Sequence, residues 1–576
     1  MSGVSEKEWI SIQVSEALGL DARAVESLLE VPADRKMGDL ALPCFRFAKE
    51  LKKPPQEIAR QAEAALQGRL SGAIVEVKAT GPYLNFRFDP TFEHKRILGE
   101  ILEKGERFGS SEIGAGKTVV LDFSSPNIAK PFGIGHLRST VIGHAVSNLL
   151  SFLGYRCVRV NHLGDWGTQF GKLIVAYREW GGEVDLDGED PIRSLLDLYV
   201  RFHREADGDP SLEDRAREWF KKLEEGDEEA TRLWNWFKDL SLKEFQRIYS
   251  RLGVEFDSQA GESFYNDKME AAIGLLQEKG LLQESRGAKI VDLEPYGLTP
   301  VLIQRSDDAT LYATRDLAAA IYRHDTFRFH KSLYFVATQQ NEHFRQVFKT
   351  LELLGFSWAQ DCVHVPFGMI GFAEGTMSTR KGKLVFLEDV LDQAVERVKE
   401  IMAEKNPDLA DRDRVAEQVG VGAIVFYDLW RRRIKDWTFD WNRILNFEGE
   451  TGPYVMYSHA RFRSILRKGA ERGIRPLESA DHLEASALDN DEAASLIQTL
   501  QAFPGAIERA AEQYEPSILT QALVDISDRA NKFYNAHHVL VEDPQVAGTR
   551  LLLVRAVAIL LKTGLNLIGI EAPEEM

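Results

Sequence analysis

The stretch that decides the fold runs from residue 124 to residue 140 and reads SSPNIAKPFGIGHLRST. The apolar, β-branched run 117–123 precedes it and predicts a strand, and from Leu137 onward apolar residues recur at helical spacing. A strand that turns into a helix through a glycine-bearing loop is typical of nucleotide-binding α/β folds. The sequence therefore predicts a phosphate site at the carboxyl end of this strand.

Four residues in this loop are candidates for contact with the phosphates. Gly133 and Gly135 let backbone N–H groups approach a phosphate closely, and the following helix adds the positive end of its dipole. His136 and Lys130 are predicted to supply cationic donors. The alternative is a turn whose glycines serve only tight packing.

The stretch resembles the signature of class I aminoacyl-tRNA synthetases, usually His-x-Gly-His, and its flanks resemble the arginyl-tRNA synthetase version. The resemblance implies that Gly133, Gly135 and His136 bind ATP and that Lys130 and His136 act in catalysis. One position departs from the pattern, because Gly133 stands where the family has its first histidine.

The composition sets limits on the class of protein. With 576 residues (65.0 kDa) the chain is too long to fold around one hydrophobic core, so three or four domains are expected. No run suggests a membrane span or an export signal, and Cys44, Cys157 and Cys362 lack metal-ligand spacing, which favours the cytoplasm. The net charge of −18 argues against DNA as a partner but allows one RNA on a local basic patch.

Elements along the chain predict an α/β multidomain protein. Residues 1–110 read as an N-terminal α+β domain, 111–394 as a catalytic domain and 395–576 as a C-terminal all-α bundle. In the catalytic domain, strand-like runs alternate with helices and predict a doubly wound, Rossmann-like parallel sheet with a helical insertion at about 185–285. The runs lie at 117–124, 155–160, 289–293, 333–337 and 363–370.

The N-terminal domain resembles the domain with which arginyl-tRNA synthetases grip the tRNA elbow. That resemblance implies that Tyr83 stacks on an exposed base and that Asn85 reads the edge of the base. The alternative is a tyrosine packed in the core of a hairpin.

A second basic, glycine-flanked loop follows the last strand-like run and reads GFAEGTMSTRKGK over 371–383. It resembles the arginine-family variant of the class I Lys-Met-Ser-Lys-Ser loop, which implies that Met377 and Ser378 bind ATP. Threonines stand at both lysine positions of that pattern. The charge on a leaving pyrophosphate still needs cations, so Arg380, Lys381 and Lys130 are the candidates. The alternative is a solvated basic turn.

An amino-acid pocket for arginine requires planar acceptors that match a guanidinium. Tyr312 and Asp316 lie four residues apart, so a helix would place both on one side. The resemblance implies that they bind the substrate arginine, together with Asn127, Gln340 and Asp122, although Asp122 could equally form an ordinary buried polar pair.

Two further motifs of the family lie in the catalytic domain. The first, 161–171, contains His162 and Asp165, which we interpret as scaffold and pocket wall and not as an acid/base pair, because the carboxylate of arginine is already the nucleophile. The second, 261–265, reads GESFY, and its role does not follow from the residues.

The segment 430–468 carries nine Lys and Arg residues against four Asp and Glu residues. Its rings and guanidinium groups interleave, which suits splayed anticodon bases, and Tyr454, Tyr457 and Arg461 are the candidate contacts. A helix core with a charged rim is the alternative for each residue. The resemblance also implies that Met576 lies near the anticodon loop, with Glu575 where an arginine is usual.

Together the motifs predict an arginine–tRNA ligase that uses ATP, with Mg²⁺ arriving on ATP and no metal site of its own. The expected partners are L-arginine and tRNA(Arg), and the resemblance implies a monomer and adenylation that needs bound tRNA. One alternative is a different class I synthetase, against which the Tyr312 and Asp316 pair argues. The other is a catalytically degenerate paralogue that binds tRNA, suggested by Gly133 and the missing loop lysines.

Overall fold

The structure is a computed structural model that describes residues 6–32, 34, 37–70, 73–186, 188, 190–305, 312–371 and 385–576. The strands are β1 (Leu40–Pro43), β2 (Ile74–Thr80), β3 (Tyr83–Phe88), β4 (Thr118–Asp122), β5 (Arg156–Val160), β6 (Leu282–Ser285), β7 (Ala288–Val291), β8 (Val301–Gln304), β9 (Lys331–Tyr334), β10 (Cys362–His364), β11 (Ile370–Gly371) and β12 (Trp437–Thr438).

The helices that precede the second loop are α1 (Glu6–Leu18), α2 (Ala22–Leu28), α3 (Ala48–Leu51), α4 (Pro55–Leu66), α5 (Pro90–Lys104), α6 (Leu137–Phe152), α7 (Thr168–Trp180), α8 (Pro191–Ala206), α9 (Ser211–Glu224), α10 (Glu228–Leu252), α11 (Met269–Glu278), α12 (Tyr312–Phe327) and α13 (Asn341–Leu353). Those that follow it are α14 (Leu387–Lys405), α15 (Arg412–Leu429), α16 (Trp441–Ile444), α17 (Gly452–Glu471), α18 (Asp491–Gln501), α19 (Phe503–Glu512), α20 (Ser517–Ala536) and α21 (Pro544–Leu567).

The chain divides into two compact units. Unit 1 comprises the described residues of Met1–Gly105 with Lys468–Gln501 and Phe533–Ala556. Unit 2 comprises those of Glu106–Arg467 with Ala502–Lys532 and Val557–Met576.

Unit 1 contains an antiparallel sheet in the order β1-β3-β2. Gly81, at φ 58°, closes the turn between β2 and β3, a conformation that glycine adopts without a Cβ penalty. Apolar residues of the helices and the sheet form one core that includes Ile10, Val14, Val25, Leu42, Ile58, Leu84 and Phe86. The predicted α+β character of the N-terminal region is confirmed.

Unit 2 contains a four-stranded parallel sheet in the order β10-β9-β4-β5. Val120 on β4 pairs with Val158 on β5 and with Ser332 on β9. Both α6 and α12 pack against β4, and α13 packs against β10. Helix α6 is buried on nearly every side, and its buried residues include polar ones such as Arg138, Thr140 and His144. The prediction of a parallel, nucleotide-binding type of sheet is confirmed.

One predicted strand belongs to a different sheet. The run at 289–293 forms β7, which lies between β6 and β8 in a small antiparallel sheet and not in the parallel one. Arg286 and Gly287 both have positive φ and form the tight turn that joins β6 to β7. The strand is only partly buried, whereas a strand of a covered parallel sheet is buried on both faces.

Charged helices occupy the predicted insertion, where α8, α9 and α10 follow one another, and α14 to α21 dominate the chain after the second loop. None of the described helices combines the length and the apolar character needed to cross a bilayer.

Candidate active site

The predicted nucleotide site lies where the strand order of the parallel sheet reverses. β4 has β5 on one side and β9 on the other. The segments that follow β4 and β9 therefore begin next to each other at the carboxyl edge of the sheet. The signature loop 123–136 follows β4, and the turn that contains Gln340 follows β9. Open α/β sheets bind ligands in the crevice at such a point.

The signature loop turns at residues other than its glycines. Ser124, Ser125 and Ala129 have φ values of 71°, 50° and 59°, whereas Gly133 is extended at φ −79°. Three side-chain contacts hold the turn: Ser139 Oγ accepts from Ser124 N at 2.9 Å, Asn161 Oδ1 from Ser125 N at 3.1 Å and Ser241 Oγ from Ala129 N at 2.8 Å. The left-handed backbone conformations of this loop are therefore adopted by two serines and an alanine, and the predicted close approach of Gly133 and Gly135 to a phosphate does not depend on a positive φ at Gly133.

Gly133 forms a short antiparallel bridge with Phe386, just beyond the second loop. Ile134 N donates to Val385 O at 3.0 Å, and Leu387 N donates to Phe132 O at 2.9 Å. The trailing flank of the second loop is thus fastened to the signature loop. The residues predicted from that loop, Met377, Ser378, Arg380 and Lys381, lie outside the described residues.

His136 stands at the start of α6, half-buried, with its Nδ1 3.2 Å from Gly133 O. Burial lowers the pKa of His136 to about 4, and the nearby charge of Lys130 acts in the same direction. The ring is therefore neutral at pH 7, where the sequence argument expected a cation. Lys130 is also half-buried, and its Nζ lies 5.7 Å from the centre of the Tyr199 ring on α8.

The carboxylate of Asp122, at the end of β4, is already bound by other side chains of the protein. Its Oδ2 forms a 2.8 Å ion pair with Arg323 Nη1, and its Oδ1 accepts a hydrogen bond from Ser125 Oγ at 3.0 Å. Arg323 is fully buried and also lies 3.3 Å from His162 Nδ1. These contacts favour the buried polar pair over direct contact of Asp122 with substrate arginine.

Tyr312 and Asp316 both lie in the first turns of α12, as their spacing predicted. Tyr312 is 66% exposed, so its ring is open to solvent. Asp316 is half-buried and accepts a hydrogen bond at 2.6 Å from Nε2 of His343, a residue that the sequence argument did not single out. His343 follows Gln340, which is exposed, and Asn127 is exposed at the signature loop.

The motif 261–265 supplies a carboxylate that the sequence argument left without a role. Glu262 is nearly buried, and its Oε2 lies 3.8 Å from Arg315 Nη1 on α12. Burial raises the pKa of Glu262 to about 7; Arg315 opposes this rise, and Asp316 and Asp165 add to it. Asp316 lies near enough to Glu262 for its negative charge to contribute to this rise, so the two carboxylates together would stabilise a bound cation.

Asp165 is fully buried and serves as an anchor. It accepts hydrogen bonds from Ser263 N and Ser263 Oγ, both at 2.8 Å, and forms a 2.7 Å ion pair with Lys238. These contacts fix the 261–265 motif against the loop after β5. The interpretation of Asp165 as scaffold is confirmed by this geometry.

The predicted RNA contacts in unit 2 cluster on α17. Tyr457 is exposed, with the guanidinium of Arg461 4.7 Å from its ring centre, and Arg461 donates to Asn531 Oδ1 at 2.8 Å. Tyr454 is half-buried and donates to Asp528 Oδ1 at 2.7 Å. The backbone carbonyl of Met576 accepts a hydrogen bond from Asn406 Nδ2 at 3.2 Å.

The chain end is held along α17. Glu574 pairs with Arg463, and Glu575 pairs with Arg467 at 3.2 Å. Glu575 therefore has a cationic partner within the chain at the position where the family usually has arginine.

The predicted contacts in unit 1 differ from expectation in one residue. Tyr83 is half-buried, and its ring packs edge-to-face with the ring of Phe45, with 5.8 Å between the two ring centres. Asn85 is 3% exposed, because it lies in the central strand β3 between Ala41 and Lys78. A buried side chain does not meet an exposed base, so the prediction that Asn85 reads a base edge is wrong for this arrangement.

Comparison with known proteins identifies the class. The model of class I tRNA synthetases (R), catalytic domain, matches residues 98–441. The DALR anticodon binding domain matches 455–576, and the arginyl tRNA synthetase N terminal domain matches 7–88. Fold and site thus define a class I aminoacyl-tRNA synthetase.

Full-length relatives narrow the class. The chain is 50% identical to an arginine–tRNA ligase of Halothermothrix orenii over 97% of both chains. It is 50% identical to that of Alkaliphilus metalliredigens over 98% of this chain and 99% of the relative. The arginyl-tRNA synthetase structure of Thermus thermophilus superposes with a TM-score of 0.79 at 26% identity, covering 99% of this chain and all of the other. The chain belongs to the arginyl-tRNA synthetase family.

Proposed function

We propose that this chain attaches arginine to tRNA(Arg) in two steps. In the first, the carboxylate of arginine attacks the α-phosphorus of ATP, the bond to the β-phosphate breaks, and pyrophosphate leaves. In the second, a hydroxyl of the terminal ribose of the tRNA attacks the carbonyl, and AMP leaves. The proposal is supported by the 50% identity to arginine–tRNA ligases over nearly the whole chain, together with a signature loop that follows β4 where the strand order reverses.

The first step depends on positioning and on charge stabilisation, since the nucleophile is already ionised. The start of α6 supplies N–H groups and its dipole to the triphosphate. Lys130 and His136 lie on the same loop, and proton uptake by His136 when the anionic phosphates bind would supply a second cation. Arg380, Lys381, Met377 and Ser378 complete the proposed ATP site from the second loop.

Mg²⁺ is proposed to enter on ATP. Within the described parts of the chain, no group of three or more His, Cys, Asp or Glu side chains could hold a metal ion. Lys130 and the N–H groups at the start of α6 suit phosphate oxygens rather than Mg²⁺, and the Asp122 carboxylate is already paired with Arg323. The ion would neutralise the charge that develops on the leaving pyrophosphate.

The arginine pocket is proposed around α12. Asp316 and Glu262 would pair with the guanidinium, and the hydroxyl of Tyr312 would accept from it. Asn127 and Gln340 would orient the amino end of the substrate. The ammonium group of lysine is compact and could pair with only one of these two carboxylates at a time, so lysine would bind less tightly than arginine.

The proposed tRNA contacts are Tyr83 in unit 1 and Tyr454, Tyr457, Arg461 and Met576 in unit 2. The exposed ring of Tyr457 and the adjoining guanidinium of Arg461 form a surface on which a base can stack. We further propose a monomer that works in the cytoplasm, in accord with its three free cysteines.

Charging of tRNA(Arg) with labelled arginine by the purified chain tests this function. A degenerate paralogue would bind tRNA and charge none, but relatives that are half identical over their whole length are arginine–tRNA ligases. Gly133→His is a second discriminating variant: it should leave the activity of a working enzyme little changed or lower, and it would not revive a degenerate one.

A further inference from the structure

A buried ion pair joins the signature helix to the helical part of unit 2. Arg138 is the second residue of α6, two positions after His136, and only 1% of its side chain is exposed. Its Nε lies 2.9 Å from Oδ1 of Asp428, a fully buried residue in the last turn of α15. Arg138 Nη1 also donates to Lys435 O at 2.8 Å.

The same carboxylate oxygen holds a second element. Trp437 Nε1 donates to Asp428 Oδ1 at 2.8 Å, and Trp437 begins β12. β12 pairs in parallel with β11, so that Trp437 N donates to Met369 O at 3.1 Å and Phe439 N donates to Gly371 O at 2.9 Å. Gly371 is the first residue of the second loop and the last one that the structure describes before residue 385.

Asp428 therefore links two parts of the fold through its side-chain contacts. Its ion pair with Arg138 reaches the first turn of α6, next to His136. Its hydrogen bond with Trp437 reaches β12 and, through β12, the paired strand β11. A pair this deeply buried is costly to desolvate and contributes little net stability compared with apolar residues of the same volume, so its value here lies in the geometry that it imposes.

We propose that Asp428 is a positioning residue for the activation of arginine: through Arg138 and Trp437 it sets the distance and orientation between the start of α6 and strand β11. Asp428 touches no predicted substrate contact itself. An error of about 1 Å in the placement of phosphate-binding groups costs about 100-fold in rate, so loss of these contacts should lower kcat while leaving arginine binding intact. The inference rests on the proposed function, because it concerns the rate of that reaction.

The test uses the full chain with tRNA(Arg) and measures arginine-dependent exchange of pyrophosphate into ATP, together with thermal unfolding. The double variant Arg138→Met with Asp428→Leu removes both charges and keeps the volume. We expect it to retain the thermal stability of the wild type and the wild-type KM for arginine, with kcat reduced about 10- to 100-fold. A double variant with both wild-type stability and wild-type kcat would show that the reaction does not depend on the geometry that the pair imposes, and it would overturn the proposal.

Trp437→Phe is a milder, independent variant that removes one N–H donor from Asp428. It should lower kcat with an unchanged KM for arginine even if the double variant does not fold; a wild-type kcat would overturn the proposal. Asp413→Asn, at an exposed position on the same helix α15, is the matched control and should leave kcat unchanged. Absence of exchange in the wild type would instead count against the proposed function, so the two failures are distinguishable.

Discussion

Replacing Asp316 with asparagine removes one negative charge from the proposed arginine pocket and keeps the shape of the side chain. The amide oxygen can still accept from His343 Nε2, now 2.6 Å from the carboxylate, so α12 and α13 should stay in place. The side chain is 29% exposed, which means that solvent screens part of the lost attraction. Hydrogen bonds to charged groups contribute about 1.5–3 kcal/mol, and we take about 2–3 kcal/mol for the guanidinium contact.

That loss corresponds to a rise of about 30- to 150-fold in the KM for arginine. The KM for ATP should not change, because Asp316 lies on α12 and the proposed phosphate contacts lie on the signature loop. The assay is tRNA charging with arginine or ATP varied in turn. Asp325→Asn, an exposed position on the same helix, should change neither KM. An unchanged arginine KM, or a rise confined to ATP, would refute the placement of the guanidinium beside Asp316.

Three further predictions follow from single residues. Because burial raises the pKa of Glu262 to about 7, the KM for arginine should fall about tenfold between about pH 6 and about pH 8 as the carboxylate ionises, and Glu262→Gln should flatten that profile. Burial also lowers the pKa of His144 to about 4, so the unfolded chain takes up a proton near pH 6.5 that the folded chain does not. Between about pH 7 and about pH 5, the free energy of unfolding measured in urea should therefore fall by about 2 kcal/mol more in the wild type than in His144→Gln. Equal decreases in the two proteins would contradict this. Tyr457→Ala should weaken tRNA binding by about 1–3 kcal/mol in a filter-binding assay, with thermal stability unchanged, and full affinity would exclude a base stacked on this ring.

Local sequence signals predicted the elements that position the site. The strand before residue 124 and the helix after His136 both follow from short-range patterns, and the structure has them as β4 and α6. The four-residue spacing of Tyr312 and Asp316 likewise placed both on one helix. The strand at 289–293 was assigned to the wrong sheet, because a short apolar run does not encode its partner strands.

Contacts between distant segments account for what the sequence did not reveal. His343 meets Asp316 only because α12 and α13 pack together, and Glu262 meets Arg315 across about twice as many residues of sequence. The neutral state of His136 depends on burial, which no local pattern reports. Ser124 and Ser125 have positive φ values, and their backbone N–H groups donate to Ser139 Oγ and Asn161 Oδ1; a local sequence pattern does not report such partners.

The decisive measurement is arginine-dependent exchange of labelled pyrophosphate into ATP, with and without tRNA(Arg) and with lysine as the control. We expect exchange with arginine when tRNA is present and none with lysine. No exchange with arginine, whether tRNA is present or absent, would contradict the proposed function and would mean that the chain retains the fold of its family without the chemistry.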